Sequence, residues 1–296
     1  MTNFLLYLKM FRVRQWAKNF LVFLPALIFP YEINFDSFYA LIVTFGIFCC
    51  SASMIYIVND WTDRESDAYN KNKKDRPFAS KDLNFKHALI GFFFLFTIFL
   101  FLFFEIYKIS PEVCILIFIY QTQSFLYSFY LKNITLIEML IVSTGYSYRA
   151  LAGGLSIYLL PSSWMLLTIF LASIFMIAQK RLSDMKSVED QNMLRPSIRA
   201  YSNKFLNIVT GISASSAIIS YILFTISDYA QVKFQNPYLP ISSIFIIYAT
   251  FRYLQIALSS LKAHDPINLI IRDTHMKICI FLCFIFIILT NSFLSN

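Results

Sequence analysis

Charge and glycine are what this chain has least of. Charged residues make up 14% of its 296 residues, against about 25% in an ordinary soluble domain. That is too little to cover a water-soluble globule of this length. Glycine occurs only 6 times, which argues against a phosphate loop that wraps a nucleotide in backbone amides. The 5 cysteines, Cys49, Cys50, Cys114, Cys279 and Cys283, all fall in apolar runs. They show neither metal-ligand spacing nor a secreted disulfide pattern, so they read as small buried hydrophobes. A cleavable signal peptide is not expected. The first apolar run begins only after Lys18, and no small-residue cleavage site follows it.

What the chain has in excess is apolar: 58% of residues are hydrophobic, 33 of them Phe, and the mean hydropathy is +0.61. It reads as an all-α integral membrane protein, a single transmembrane domain over residues 1–296. About nine spans of bilayer length are expected, at 19–35, 38–58, 86–106, 111–131, 134–157, 163–180, 205–227, 238–261 and 277–294. Pro25, Pro30 and Glu32 interrupt the first of these. Of the 25 Lys and Arg, all but four lie at the N-terminus or in alternate loops. The exceptions are Lys108 and Lys233 on the opposite face, and Arg149 and Arg252 within spans. Such a bias puts the N-terminus and the long loops, 59–85 and 180–204, in the cytoplasm. The net charge of +8 is thereby gathered on one face, where it attracts lipid headgroups and phosphorylated substrates, not nucleic acid. Two long ionisable loops, four spans apart, suggest two related halves around one central cavity.

The stretch Asn59-Asp60-Trp61-Thr62-Asp63-Arg64-Glu65-Ser66-Asp67 follows directly on the second span. If that helix runs on through it, at about 100° per residue, Asn59, Asp60, Asp63 and Asp67 share one arc bordered by Arg64. Crowded carboxylates repel one another unless a cation sits among them. An all-oxygen donor set suits Mg²⁺, which takes one or two carboxylates and completes its shell with water and substrate phosphates. The arc reads as a Mg²⁺–diphosphate site at a membrane surface. The plain alternative is a charged helix end in water.

Cations surround this stretch in sequence. Lys73 and Arg76, just past Asp67, suit the outer oxygens of a metal-bound diphosphate, although a positive-inside excess accounts for most loop lysines. Arg12, Arg14 and Lys18 flank Trp16, as an interfacial anchor or as a grip on a lipid phosphate. Glu138 and Arg149, in the fifth span, share a helix face, either to bind polar substrate groups or to balance each other. Lys132 ends the fourth span, five residues after Tyr127. Lys180 and Asp184, with Arg181 between them, form an i,i+4 pair that by itself is a surface ion pair.

The pattern Asn59-Asp60-x-x-Asp63-x-x-x-Asp67 after a second span resembles the UbiA superfamily of intramembrane prenyltransferases. Further matches resemble its polyprenyl-phosphate phosphoribosyltransferase branch. They are Arg14-Gln15-Trp16-x-Lys18-Asn19, Arg76-Pro77, Tyr127-Ser128, Leu131-Lys132 and Arg149-Ala150-x-Ala152-Gly153. Lys180-Arg181, Arg195-Pro196, Arg252-Tyr253 and Asp265-Pro266 extend the likeness to the last loop. Val13 stands where that branch usually has proline, and no His-Pro pair follows Asp67. Leu182 and Asp184 replace a more basic run. The second Asp-rich motif of the aromatic prenyltransferases is not matched, which favours the phosphoribosyl branch.

The resemblance implies nine helices around a cavity open to the cytoplasm, in a bacterial inner membrane. It also implies transfer of phosphoribose from phosphoribosyl pyrophosphate to a polyprenyl phosphate, with release of pyrophosphate, for cell-envelope glycan precursors. Asn59, Asp63 and Asp67 would hold Mg²⁺ with Asp60 in support, and Lys73 and Arg76 would meet the pyrophosphate. Arg14, Lys18, Lys132 and Lys180 would meet the acceptor phosphate. Gln15, Asn19, Tyr127, Glu138, Arg149, Arg181 and Asp184 would complete the substrate contacts. Two other readings remain: a true prenyltransferase with an allylic diphosphate donor, and a phosphorylated-lipid transporter. Against the transporter, the acids lie at a helix end, whereas coupling sites usually lie near the midplane.

Overall fold

A computed structural model describes residues 3–28, 33–69, 74–187, 194–259, 269 and 272–294. Every regular element among them is helical, as lipid requires of backbone that must satisfy its own hydrogen bonds. The chain forms two compact units, Met1–Ile141 with Tyr148–Leu160, and Val142–Ser147 with Pro161–Asn296.

The first unit starts with α1 (Asn3–Met10), an unusually long 3-10 helix (Val13–Phe23) and α2 (Leu24–Ile28). The first expected span is therefore delivered in pieces. Pro25 falls in the first turn of α2, where its missing N–H leaves no helical bond unmade. Pro30 and Glu32 lie outside the described residues. There follow α3 (Phe35–Thr62), α4 (Arg64–Ala68), α5 (Phe85–Ile109), α6 (Pro111–Phe129), a 3-10 turn (Leu131–Asn133) and α7 (Ile137–Ser156). The second unit has α8 (Ser163–Ser187), α9 (Pro196–Arg199), α10 (Asn203–Ile226), α11 (Asp228–Phe234), α12 (Ser243–Ser259) and α13 (Thr274–Leu294).

Among the described residues, five helical stretches are long and apolar enough to cross a membrane: Phe35–Thr62, Phe85–Ile109, Ser163–Lys186, Asn203–Ile226 and Leu239–Ala257. The described parts of the other expected spans are largely helical too, but shorter or more polar. The middle of α6 reads Gln121-Thr122-Gln123-Ser124, and α7 carries Glu138 and Arg149.

In the first unit α3 is the central element, and Ala40, Leu41, Ile47, Phe48 and Ile57 are all buried along it. One row of the 3-10 helix runs down its side. Three residues per turn bring Trp16, Asn19 and Val22 into line. Trp16 Nε1 donates to Ser53 Oγ at 3.0 Å, and Asn19 Nδ2 donates to Cys49 Sγ at 3.2 Å. Asn19 Oδ1 accepts from Arg149 Nε at 2.6 Å, and Arg149 Nη2 donates to Tyr120 Oη at 3.0 Å. Trp16 is thus docked on α3. Asn19 and Arg149, two expected substrate contacts, bind each other inside this unit.

Gly153 lets α7 touch the same segment backbone to backbone, since a Cβ there would sit 1.9 Å from the Val22 carbonyl oxygen. Neither partner can swing away. Gly153→Ala is expected to abolish most recovery of monodisperse protein in detergent and to lower the Tm of what remains by several degrees. Gly211→Ala, with open space around it, is expected to match the parent in both measurements. Equal behaviour of the two variants would refute this close approach.

Between α3, α5 and α6 lies an apolar cavity of about 350 Å³, lined by Met54, Val58, Phe96, Phe99 and Phe125 among others. Its α3 residues stand about 120–220° round the helix from Asp60, so the cavity opens on the face away from the acids.

In the second unit α8 and α10 pack through small polar side chains, as membrane helices do when backbones must approach closely. Thr168 Oγ1 donates to Ser220 Oγ at 3.0 Å, and Gln179 Nε2 donates to Thr210 Oγ1 at 3.1 Å. Arg252, expected within a span, ends in an ion pair with Asp273 at 2.8 Å.

Candidate active site

The acidic stretch is not one continuous helix. The helix α3 ends at Thr62, and Asp63 stands at the break with φ −90° and ψ 3°. This corrects the expectation of an unbroken helix through Asp67. The path remains nearly helical, however: Asp63 N bonds Asn59 O at 2.9 Å, and Asp67 N bonds Asp63 O at 2.8 Å. Asp60 and Asp67, seven residues apart, therefore still face the same way.

What they face is Arg76. Its Nη1 donates to Asp60 Oδ1 at 3.1 Å and to Asp67 Oδ2 at 2.5 Å. The turn that carries Arg76 is well pinned. Ser80 N bonds Arg76 O at 2.9 Å, Leu83 N bonds Pro77 O at 3.0 Å, and Phe78 and Leu83 are buried. Trp61 closes edge-on against Phe78, with centroids 5.6 Å apart. An apolar anchor on α3 thus places a cation over Asp60 of that helix and Asp67 of α4.

Arg12 is the second guanidinium on Asp60. Its Nε donates to Asp60 Oδ2 at 2.9 Å, its Nη2 donates to Oδ1, and its head lies 4.6 Å from the Tyr56 ring centre. Backbone geometry aims it: Arg12 caps the 3-10 helix in the left-handed region, at φ 51° and ψ 45°. Both Asp60 oxygens are thereby occupied by a forked guanidinium, a strong charge-assisted pairing. Burial, and next the charge of Arg12, pulls the Arg76 guanidinium below its ordinary pKa, while Asp60 and Asp67 oppose that shift. Arginine nonetheless stays cationic at neutral pH.

Asp63 meets a third cation, Lys132 Nζ at 3.1 Å. The 3-10 turn after α6 carries Lys132, so one short element joins the end of the fourth expected span to the acids. Asn59 completes the group differently, because its Oδ1 is buried without a hydrogen-bond partner among the described residues.

Not every expected residue joins this group. Arg14 is exposed and Gln15 half-buried. Tyr127 is half-buried on α6. Arg64 turns aside, onto the Trp61 ring at 4.4 Å and Glu65 at 3.0 Å. Glu138 is buried at the start of α7, about 16 Å along the helix from Arg149 by axial rise. In the second unit Arg181 pairs with Asp184 at 3.1 Å, and Lys180 lies on the same last turns of α8. Lys73, Asp265 and Pro266 lie outside the described residues. Arg12 is the contributor that sequence reasoning passed over in favour of Arg14. The signal for it was Tyr56, one turn before Asp60 and offering a ring to a cation.

Among the described residues no three His, Cys, Asp or Glu side chains converge closely enough to hold a metal ion. The donor chemistry nonetheless fits Mg²⁺. Asn59 offers a buried oxygen with no hydrogen-bond partner among the described residues, and carboxylate oxygens of the same stretch complete an all-oxygen donor set.

A sequence model of the UbiA prenyltransferase family matches residues 19–269. The chain belongs to that family. It is 30% identical over 227 residues to decaprenyl-phosphate phosphoribosyltransferase of Mycolicibacterium smegmatis, covering 74% of this chain and 70% of that one. It is 26% identical over 279 residues to the Mycobacterium tuberculosis protein of the same name, covering 91% and 89%. Its fold is similar to that of an Archaeoglobus fulgidus UbiA homologue solved with GPP and Mg²⁺. The TM-score there is 0.71 at 16% identity, over 97% of this chain and 99% of that one. The UbiA fold and the apolar helices together make this an integral membrane protein of a transferase family. The oxygen-rich end of α3 suits a divalent metal such as the Mg²⁺ with which that homologue was solved.

Proposed function

We propose that this UbiA protein transfers phosphoribose from phosphoribosyl pyrophosphate to a polyprenyl phosphate, releasing pyrophosphate. The observation that carries this reading is its likeness, over most of its length, to proteins named for that reaction. The cations beside the acids support it, since both substrates arrive as phosphates. Placement of these loops on the cytoplasmic side of an inner membrane is part of the proposal, resting on the distribution of Lys and Arg.

In this reading Asn59, Asp63 and Asp67 hold the metal, and Asp60 serves as the anchor of Arg12 and Arg76. Bound Mg²⁺ would neutralise charge on the departing pyrophosphate, the main electrostatic demand as the anomeric bond breaks. Arg76 donates hydrogen bonds to the pyrophosphate oxygens. Lys132 holds the acceptor phosphate, an oxygen of which forms the new bond to the anomeric carbon. That phosphate is already ionised at neutral pH, so no side chain need remove a proton.

The test is incubation of purified protein with Mg²⁺, a polyprenyl phosphate and phosphoribosyl pyrophosphate labelled in the ribose. Label is expected to pass to the lipid fraction and to stay behind in excess chelator. No lipid label, with transfer from an allylic diphosphate to an aromatic acceptor instead, would overturn the assignment.

A further inference from the structure

The acids use one face of α3, and the apolar cavity lies against another. Its wall on α5 is a run of four rings, Phe92, Phe96, Phe99 and Phe103. They follow at four, three and four residues and so share one helix face. Neighbouring ring centres are 6.3, 6.4 and 5.6 Å apart, and the first two pairs are stacked. Phe118 and Phe125 of α6 line the cavity too, at 70% and 53% exposed, so it is a groove open to the surroundings of the helices. Because α3 and α5 are of membrane-crossing length, those surroundings are lipid. Among the described residues lining the groove none is charged. Its two polar side chains are partnered: Gln121 Nε2 donates to Ser51 Oγ, and Ser128 Oγ donates to the Ser124 carbonyl oxygen, both at 2.8 Å. Such a wall accepts a hydrocarbon chain.

The rings favour one kind of chain. From Phe92 to Phe103 is about 16 Å by axial rise, or one ring for about every 5.5 Å. An isoprenoid chain repeats on nearly that interval, with a methyl branch and a double bond in each unit. A straight acyl chain has no repeat to set against the rings. The groove, at about 350 Å³, has room for a single chain, and its length matches about three isoprenoid units. Its end at Ser128 leads to the candidate site. Lys132 stands one turn further along the chain, in the 3-10 turn, with Nζ 3.1 Å from Asp63.

We propose that this groove holds the tail of the acceptor lipid, taking about three isoprenoid units next to the phosphate that Lys132 meets. Donor and acceptor then reach the end of α3 from different faces. The inference rests on the reading of the acceptor as a polyprenyl phosphate.

The experiment is photolabelling of the full-length protein in detergent with a farnesyl phosphate that carries a diazirine at the far end of its chain. Label is expected on α5 and α6 around Phe103 and Phe118. Unlabelled farnesyl phosphate is expected to displace it. Dodecyl phosphate, a straight chain of the same main-chain length, is expected to leave it in place at equal concentration. Phe96→Trp narrows the groove and is expected to raise the KM for farnesyl phosphate at least about tenfold, since carbons pushed out lose their burial. The KM for phosphoribosyl pyrophosphate should not move. Phe101→Trp, on the opposite side of α5 and 64% exposed, is expected to match the parent. Label confined to other helices would overturn the proposal, and so would equal kinetics of the two folded tryptophan variants. Equal displacement by dodecyl phosphate would overturn it too, making the groove a seat for ordinary acyl chains. The labelling needs no variant, so it decides the matter even where Phe96→Trp fails to fold. Absence of phosphoribosyl transfer with the labelling pattern intact would instead retire the reaction and leave the groove as an isoprenoid site.

Discussion

Alanine at Asp63 or Asp67 is expected to lower kcat by about a hundredfold or more, the scale of loss when one strong electrostatic element is removed. In the proposed reaction each carboxylate helps to balance leaving-group charge, and that charge grows as the bond breaks. The loss therefore falls on kcat more than on the KM for the donor. The two substitutions differ in what they release. Asp67→Ala removes one of the two carboxylates under Arg76, whereas Asp63→Ala removes an ion partner of Lys132. Lys132→Ala is the contrast: it weakens capture of an acceptor phosphate whose charge hardly changes before attack, so the KM for lipid rises while kcat at saturating lipid changes less. Steady-state kinetics with each substrate varied in turn checks this. A kcat within threefold of the parent's for Asp63→Ala would remove that residue from the metal's shell.

Arg12→Ala is expected to be nearly as damaging, and Arg14→Ala to be close to silent. Both arginines lie in the same basic stretch, but only Arg12 forks onto Asp60, whose side chain is 4% exposed. Removing one partner of a buried ion pair costs roughly 3–5 kcal/mol. Because Arg76 remains on Asp60, the low end of that range is expected, with a matching fall in Tm. Activity should fall by at least about tenfold as well, since Asp60, freed from the fork, can turn and carry Arg76 with it. Arg12→Lys restores the charge without the fork and is expected to recover only part of the loss, because a guanidinium and an ammonium are not interchangeable at a two-point contact. Equal effects of Arg12→Ala and Arg14→Ala on Tm and kcat would show that the Arg12–Asp60 contact carries nothing.

Composition and the distribution of charge were sufficient to read helices crossing a membrane: the expected spans at 38–58 and 86–106 lie within α3 and α5, and that at 205–227 runs one residue past the end of α10. Hydrophobic length is a local property and survives in the one-dimensional string. The acid motif was legible for a related reason. Seven residues on a helix make nearly two turns, so Asp60 and Asp67 share a face whether or not the helix pauses at Asp63.

What the string withheld are partnerships across distance. Nothing in the spacing says that Arg12 would reach residue 60 and Arg14 would not. That choice is made by the left-handed turn at Arg12 and by a 3-10 helix that seats Trp16 and Asn19 against Ser53 and Cys49. Arg149 reads in sequence as a charge facing either a substrate or Glu138, and the fold gives it Asn19 and Tyr120. Periodicity decides which residues share a face of one helix. Which cation closes on which acid depends on how separate segments cross, and that was decided only when the chain packed.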